Sequence, residues 1–596
     1  MTCASESVRP VSGPPGRRCP GPGAFRRRAR MSNGLVVLVN PNLVHPPIAP
    51  YALDVLTTSL EAAGFEVAVL DLTFHRDDVA SVLRGYLTEH RPLLVGVTIR
   101  NTDTVYALER RPPFLVGHRE IIEEIRRLTD APLVVGGVGF STMPHALVDY
   151  FNVEYGVRGP GEVVICELAA ALRAGRPPSS VPGLLVNEGG GRVVRTPAPA
   201  GTPDGGSMVW QVNRVSPYVR RSGVPLRVDN LAYYRSGGLG SILTKNGCPY
   251  RCAHCVEPNA KGTSFAGRDT AAVVDEMEML LAQGIHDLHT TDSEFNLNIA
   301  GSKNLLREIV RRKDADHGSP LHQLRLWVYC QPAPFDEEFA ELLAAAGCAG
   351  INVGADHVRH DLLDSWKVTA GGRRYYRHED TERLVKLCHK NDMLTMVEAL
   401  FGMPGETPRT MRECVDEFLG LDATVTGFSL GLRLFPYIPL GASVAAQSAG
   451  VRTVPGVRAN TGSGPILLKP LAECRDAVEY ERQFVFDPAG EFRLLCYLSP
   501  DLPGGDGPQA GWEEALELLW SMVPAAELHR VMLPTIAGIS EHDNNYADNP
   551  FLLDLVRQGY TGAFWAHWRD RAEIMRAGGA GVLVSAGGEG VGDDAW

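Results

Sequence analysis

Three cysteines at short intervals carry the clearest chemistry in this chain. They lie in Asn246-Gly247-Cys248-Pro249-Tyr250-Arg251-Cys252-Ala253-His254-Cys255, a C-x3-C-x2-C spacing. Three thiolates on one tight loop suit three irons of a [4Fe-4S] cubane and leave the fourth iron open for chemistry. Gly247 and Pro249 let the backbone wrap closely around such a core. A zinc knuckle would want a fourth local Cys or His in tetrahedral array, and on so short a loop His254 faces away from a shared pocket. Cys248, Cys252 and Cys255 are therefore the expected metal ligands.

A loop of this kind needs rigid elements behind it. Apolar runs with strand-like length predict strands near 240–243, 287–290, 325–328, 350–353, 394–399 and 426–430, the first five each followed by a helical segment. Six such units make a partial (β/α)6 barrel, whose chemistry sits on the loops after the strands. Upstream, strands at 35–39, 66–70, 93–98 and 132–135 alternate with helices at 51–63, 76–89 and 117–128, and a last strand-helix pair ends near Leu172. That pattern is a doubly wound, Rossmann-like parallel sheet with ligands expected at the carboxyl strand ends. The fold class is thus α/β with a mainly helical C-terminal domain. Expected boundaries are a disordered extension over 1–31, a first domain over 32–200, a linker over 201–230, the barrel over 231–455, the C-terminal domain over 456–576 and a flexible tail over 577–596. Helices are expected around 512–521 and 562–576, and the C-terminal domain should close one side of the active site to exclude water.

Composition removes several classes of function. With 44% hydrophobic and 21% charged residues the chain is globular, and a net charge of −12 gives no phosphate-binding footprint, so no nucleic-acid partner is expected. No apolar run is long enough to span a bilayer and the N-terminus lacks a secretory apolar centre. Twelve scattered cysteines suit a reducing compartment, so the expected location is the cytoplasm, without a membrane.

The Gly-Cys-Pro-x-x-Cys context, placed after the first strand of a six-unit array, resembles the radical SAM superfamily over about residues 235–450. That resemblance implies S-adenosyl-L-methionine (SAM) as cosubstrate. The upstream domain resembles the cobalamin-binding class of these enzymes on Asn40-Pro41, Pro46-Pro47, Gly136-Gly137 and Arg158-Gly159-Pro160-Gly161-Glu162. It implies a corrin held by Asn40, Arg100, Gly136, Gly137, Gly159, Gly161 and Glu162; the alternative is a doubly wound module for another nucleotide. No Asp-x-His-x-x-Gly occurs, so cobalamin is expected without a histidine lower ligand. Arg100 would lie beneath the corrin, where a guanidinium does not ligate metal; its plainer reading is an ion-paired strand-end arginine.

In His289-Thr290-Thr291-Asp292-Ser293-Glu294 the second acid stands one place later than in related enzymes. Glu294 would reach the open iron and compete there with SAM; otherwise it bonds the SAM amino group or neighbours a helix cap. With Arg100, this feature resembles the tryptophan 2-C-methyltransferases of thiopeptide (thiostrepton-type) antibiotic biosynthesis. The resemblance implies methyl transfer from SAM through methylcobalamin to carbon 2 of L-tryptophan, with an external electron donor such as flavodoxin or ferredoxin. Tyr329 would orient the indole, or simply pack. Asp356 and Glu398 would bind SAM, or stand as satisfied strand-end carboxylates. Gly402–Thr407 reads as architecture, with Thr407 capping a helix. The rival functions are a radical C-methylase that forms 5′-deoxyadenosine on another natural-product precursor, and a cobalamin or redox sensor without turnover.

Overall fold

The computed structural model describes residues 34–106, 109, 113–197, 218–221, 223–264, 266–367, 375–449, 454–460, 466, 468–503, 511–534 and 549–568. The expected disordered ends, 1–31 and 577–596, and most of the expected linker lie outside the described residues. Eight of the residues of the helix expected over 562–576 do too, so only its beginning is seen.

The N-terminal sheet runs in the order Glu66–Asp71, Leu35–Asn40, Leu94–Thr98, Leu133–Gly136, Tyr155–Val157, Leu184–Gly189, Arg192–Arg195. Its first five strands are parallel, and the last two form an antiparallel edge. The apolar runs read as strands because both faces are covered: Leu35–Asn40 is buried throughout. The chain leaves Leu35–Asn40 to one side and returns on the other at Leu94–Thr98, so the crevice for a ligand opens beyond Asn40 and Thr98.

The barrel sheet has seven parallel strands: Gly240–Ile242, Asp287–Thr290, Arg325–Cys330, Cys348–Asp356, Leu394–Phe401, Val425–Leu430 and Val531–Met532. The first six are those expected; the seventh is only two residues long, too short to leave a pattern in the sequence. Thr407 caps helix Pro408–Gly420, accepting from Thr410 N at 3.2 Å.

Helices dominate the region after 456, with Gly511–Met522 and Pro550–Arg557 the longest. No physical seam separates this region from the rest. Phe484, Val485 and Leu495 share one apolar core with Ile122, Phe140 and Leu147 of the first domain, while Trp512, Leu516 and Leu519 share another with the barrel. Polar ties cross the same boundary. Arg433, before the boundary, donates to the carbonyls of Phe484 and Leu495 beyond it at 3.0 and 3.1 Å, and its guanidinium also meets Asp103 of the first domain at 3.3 Å. Glu481 accepts from Ala146 N at 2.8 Å at the start of helix Pro144–Phe151, and also from Tyr437.

The last described segment floors the barrel. Trp327, Met396 and Val425 point inward from three strands, and Trp565 and Trp568 pack against them, with the Trp327 and Trp565 rings edge to face at 5.7 Å. Register fixes the side: His289 pairs with Trp327, so Tyr329, two residues on, faces the same lumen one layer nearer the carboxyl ends. Removing the plug opens an apolar cavity. Trp565→Ala should lower stability by about 3–5 kcal/mol, read from denaturant unfolding followed by circular dichroism.

Candidate active site

The cysteine loop begins at the end of the first barrel strand and is pinned on every side. Lys245 and Thr244 are both bound to Asp292: the Lys245 ammonium lies 2.8 Å from its carboxylate and Thr244 N donates to it at 2.8 Å. Gly247 has φ +87°, and a Cβ there would stand 1.9 Å from the carbonyl oxygen of Ser264. Only glycine fits. Cys248 N donates to Gly262 O at 3.0 Å, Ala253 N to Trp366 O at 2.7 Å, and Leu440 N to Ala253 O at 3.0 Å. Lys261 pairs with Glu257, which also accepts from Ser293 at 2.7 Å.

Cys248 and Cys252 are buried and Cys255 half-buried. Burial raises all three thiols, Cys248 to about 12. Thiols so placed need a cationic partner to ionise, which a cluster's irons supply. The donor set therefore suits a [4Fe-4S] core. Tyr375 completes the wall, its hydroxyl 3.5 Å from Cys252 Sγ and its ring 3.8 Å from that of Tyr250.

Glu294 stands opposite the loop. Its Oε2 is buried without a hydrogen-bond partner, and its Oε1 lies 3.8 Å from where a Cβ on Gly354 would be. Burial first, then the neighbouring Asp356 and Glu257 carboxylates, push its pKa up to about 8. A carboxyl held there without a partner is a vacant oxygen donor.

Asp356 is engaged differently from a free SAM ligand. At φ +55°, after a bulge at Gly354, its carboxylate meets the Lys367 ammonium at 2.6 Å. Lys367 also lies 5.6 Å from the centre of the Tyr376 ring and faces Cys252. Lys367 and Tyr375 were not legible as site residues, because nothing in their local pattern marks them.

Below the loop the lumen is ringed by half-buried polar groups. Tyr329 lies edge-on to His289 at 5.0 Å. Glu398 pairs in register with Gly354 and is pushed up to about 6, chiefly by burial, with Asp356 adding to it.

On the N-terminal side, Asn40 is committed inward: its amide donates to Asp71, Thr73 and Tyr233 at 2.9–3.0 Å. Arg100 stands exposed beyond the third strand, bonded to Asn101 at 2.8 Å. Gly137, expected to help hold the corrin, closely approaches protein: its Cβ would lie 2.5 Å from Ile99 O. Gly136 ends the strand Leu133–Gly136, packed against Val157. Gly159 N donates to Ser141 at 2.9 Å, and Gly161 precedes helix Glu162–Arg173, where Glu162 Oε2 is buried without a partner. A Cβ on Gly159 would lie 3.7 Å from the carbonyl oxygen of Ala260, in the helix Glu257–Lys261 that follows the cysteine loop.

The Asp356–Lys367 pair generates a test. Asp356→Ala strands a buried ammonium and should cost about 3–5 kcal/mol of stability, measured by denaturant unfolding without any ligand. A residue kept only for SAM would leave that value unchanged.

Two family models match the chain: the B12 binding domain over residues 35–169 and the radical SAM superfamily over residues 242–418. The tryptophan 2-C-methyltransferase of Streptomyces laurentii is 63% identical over 584 residues, covering 91% of this chain and 97% of that protein. The radical S-adenosylmethionine methyltransferase TsrM of Kitasatospora setae, solved with tryptophan and aza-SAM bound, is 65% identical with a TM-score of 0.85, covering 91% of this chain and 99% of that one. The same enzyme solved with cobalamin and a [4Fe-4S] cluster is 64% identical, also with a TM-score of 0.85, covering 91% and 98%. The chain belongs to the tryptophan 2-C-methyltransferase family, within the cobalamin-binding radical SAM enzymes.

Proposed function

We propose that this protein is a cobalamin- and SAM-dependent C-methyltransferase that methylates carbon 2 of the L-tryptophan indole, in thiopeptide antibiotic biosynthesis as the family resemblance implies. The observation that carries the reading is the full-length identity to a tryptophan 2-C-methyltransferase, joined to three thiols on one loop and a buried Glu294 carboxyl whose Oε2 has no hydrogen-bond partner.

When bound, cobalamin supplies a methyl carrier and the cluster supplies electrons, so the protein's share is orientation and field. Cys248, Cys252 and Cys255 hold the cluster, and Glu294 offers its vacant oxygen to the open iron. Positive charge there favours the carboxylate over the protonated form that burial alone imposes. Arg100 contributes a permanent charge at the corrin crevice and does not ligate cobalt. The glycines from Gly136 to Gly161, with Glu162 and the Asn40 turn, shape that crevice. Glu398 and the paired Asp356 face SAM, and Tyr329 orients the indole. The tryptophan floor keeps bulk water out of the lumen from below. Flavodoxin or ferredoxin is the fitting electron donor, and the free described cysteines suit a reducing cytoplasm. Among the described residues no helix is long and apolar enough to cross a membrane.

Anaerobic protein carrying cluster and cobalamin, given SAM, reductant and L-tryptophan, should form 2-methyltryptophan without a matching amount of 5′-deoxyadenosine, both quantified by mass spectrometry in one tube. Stoichiometric 5′-deoxyadenosine with no methyltryptophan would sink the assignment in favour of a radical methylase. Cys252→Ala should abolish methyltryptophan and lower iron content.

A further inference from the structure

Each cysteine of the metal loop has its own source of hydrogen bonding. Cys248 takes the backbone N–H of Tyr250 and Cys255 that of Glu257, each two residues on, as suits a tight loop. Cys252 differs: a side chain stands within reach of its sulfur, the Tyr375 hydroxyl at 3.5 Å, from a segment 123 positions later. That hydroxyl is held from two directions. The Tyr375 ring lies 3.8 Å from that of Tyr250, whose own hydroxyl accepts from Gln331 Nε2 at 3.3 Å, just past the third barrel strand. Next to it, the Tyr376 hydroxyl donates to the carbonyls of Gly354 and Ala355 at 3.2 and 2.9 Å, near the end of the fourth. Two barrel strands therefore anchor the residues on either side of the Tyr375 ring. Lys367 also faces Cys252, and its charge is answered by Asp356 at 2.6 Å.

A phenol stays protonated near neutral pH, and a thiolate on iron carries no proton. In the loaded protein the tyrosine is therefore the donor and the sulfur the acceptor. We propose that Tyr375 is a positioning residue for electron transfer: acting through Cys252, its hydroxyl raises the reduction potential of the cluster. This rests on the assignment of the three cysteines to the [4Fe-4S] core. An added electron increases the negative charge on the thiolates. A donor already aimed at one of them stabilises the reduced form more than the oxidised form. Glu294 and Asp356 face the same sulfur and push the other way. The hydroxyl offsets part of that opposition, so the cluster accepts its electron more readily from a one-electron donor of the flavodoxin or ferredoxin class.

The role predicts a shift in potential that a merely packed tyrosine would not give. The midpoint potential of the cluster's one-electron couple is read by anaerobic redox titration followed by electron paramagnetic resonance, with iron content measured alongside. Tyr375→Phe keeps the ring and removes the donor. It should make reduction about threefold to tenfold less favourable, a potential about 30–60 mV lower for one electron. Tyr250→Phe removes a hydroxyl of the same ring pair that is turned to Gln331, and should leave the potential unchanged. Tyr375→4-aminophenylalanine, with similar reach and an N–H donor, should recover part of the loss. Because the potential belongs to each loaded cluster, partial loading of a variant does not blur it. An unaltered potential in Tyr375→Phe, or an equal fall in Tyr250→Phe, overturns the inference and leaves the cluster assignment standing. A wild type that takes up no iron–sulfur cluster on reconstitution overturns the assignment itself.

Discussion

At Gly247 the chain runs so close to the carbonyl of Ser264 that no side chain can be present, and the rest of the site depends on that contact. It is the point where a strand end becomes a metal loop. Because the loop is pressed onto its own return segment there, and tied by backbone bonds to Gly262, Trp366 and Leu440, its backbone course is fixed by protein contacts. The barrel's contribution is to hold the first strand and the second in register, so that Asp292 grips Lys245 on one side while Glu294 is carried past to the other.

The site also sorts its charges. Glu257 has Lys261, Asp292 has Lys245, and Asp356 has Lys367, each pair at 2.6–2.8 Å. Glu294 has no ion pair among the described residues. Burying three matched pairs is at best neutral for stability, and their value is that each acid is already answered and stays out of the chemistry. Glu294 and Glu398 are the site carboxyls left without a matched ammonium among the described residues.

Much of this was readable from residues alone, because the signals are local. The cysteine spacing is contained in eight residues, and the doubly buried strands are short apolar runs that stop at Gly, Asn or Asp. What was not readable depends on contacts distant in sequence. The Asp356–Lys367 pair crosses a helix, and nothing about Lys367 distinguishes it from a surface lysine. Asn40 is legible as the end of a strand at the crevice, but not that its amide bonds inward to Tyr233, almost two hundred positions later. The glycine at 137 was expected to make room for the corrin, and only the fold reveals that Ile99 stands against it. Similarly, a boundary near 455 follows from the change in composition, whereas the apolar cores run straight through it.

The tryptophan floor has a consequence for how the molecule comes into being. Its last pieces, Ala563 to Trp568, follow the first barrel strand by more than three hundred residues. At about 5–20 residues per second on the ribosome, the interval between the two is roughly half a minute. Throughout that time the six preceding strands can pair while their inward faces, from Trp327 to Val425, remain uncovered. The nascent barrel is thus an open tube with a greasy bore. It is completed only once these residues have been made, and a chain released before them exposes a surface that invites association with its neighbours.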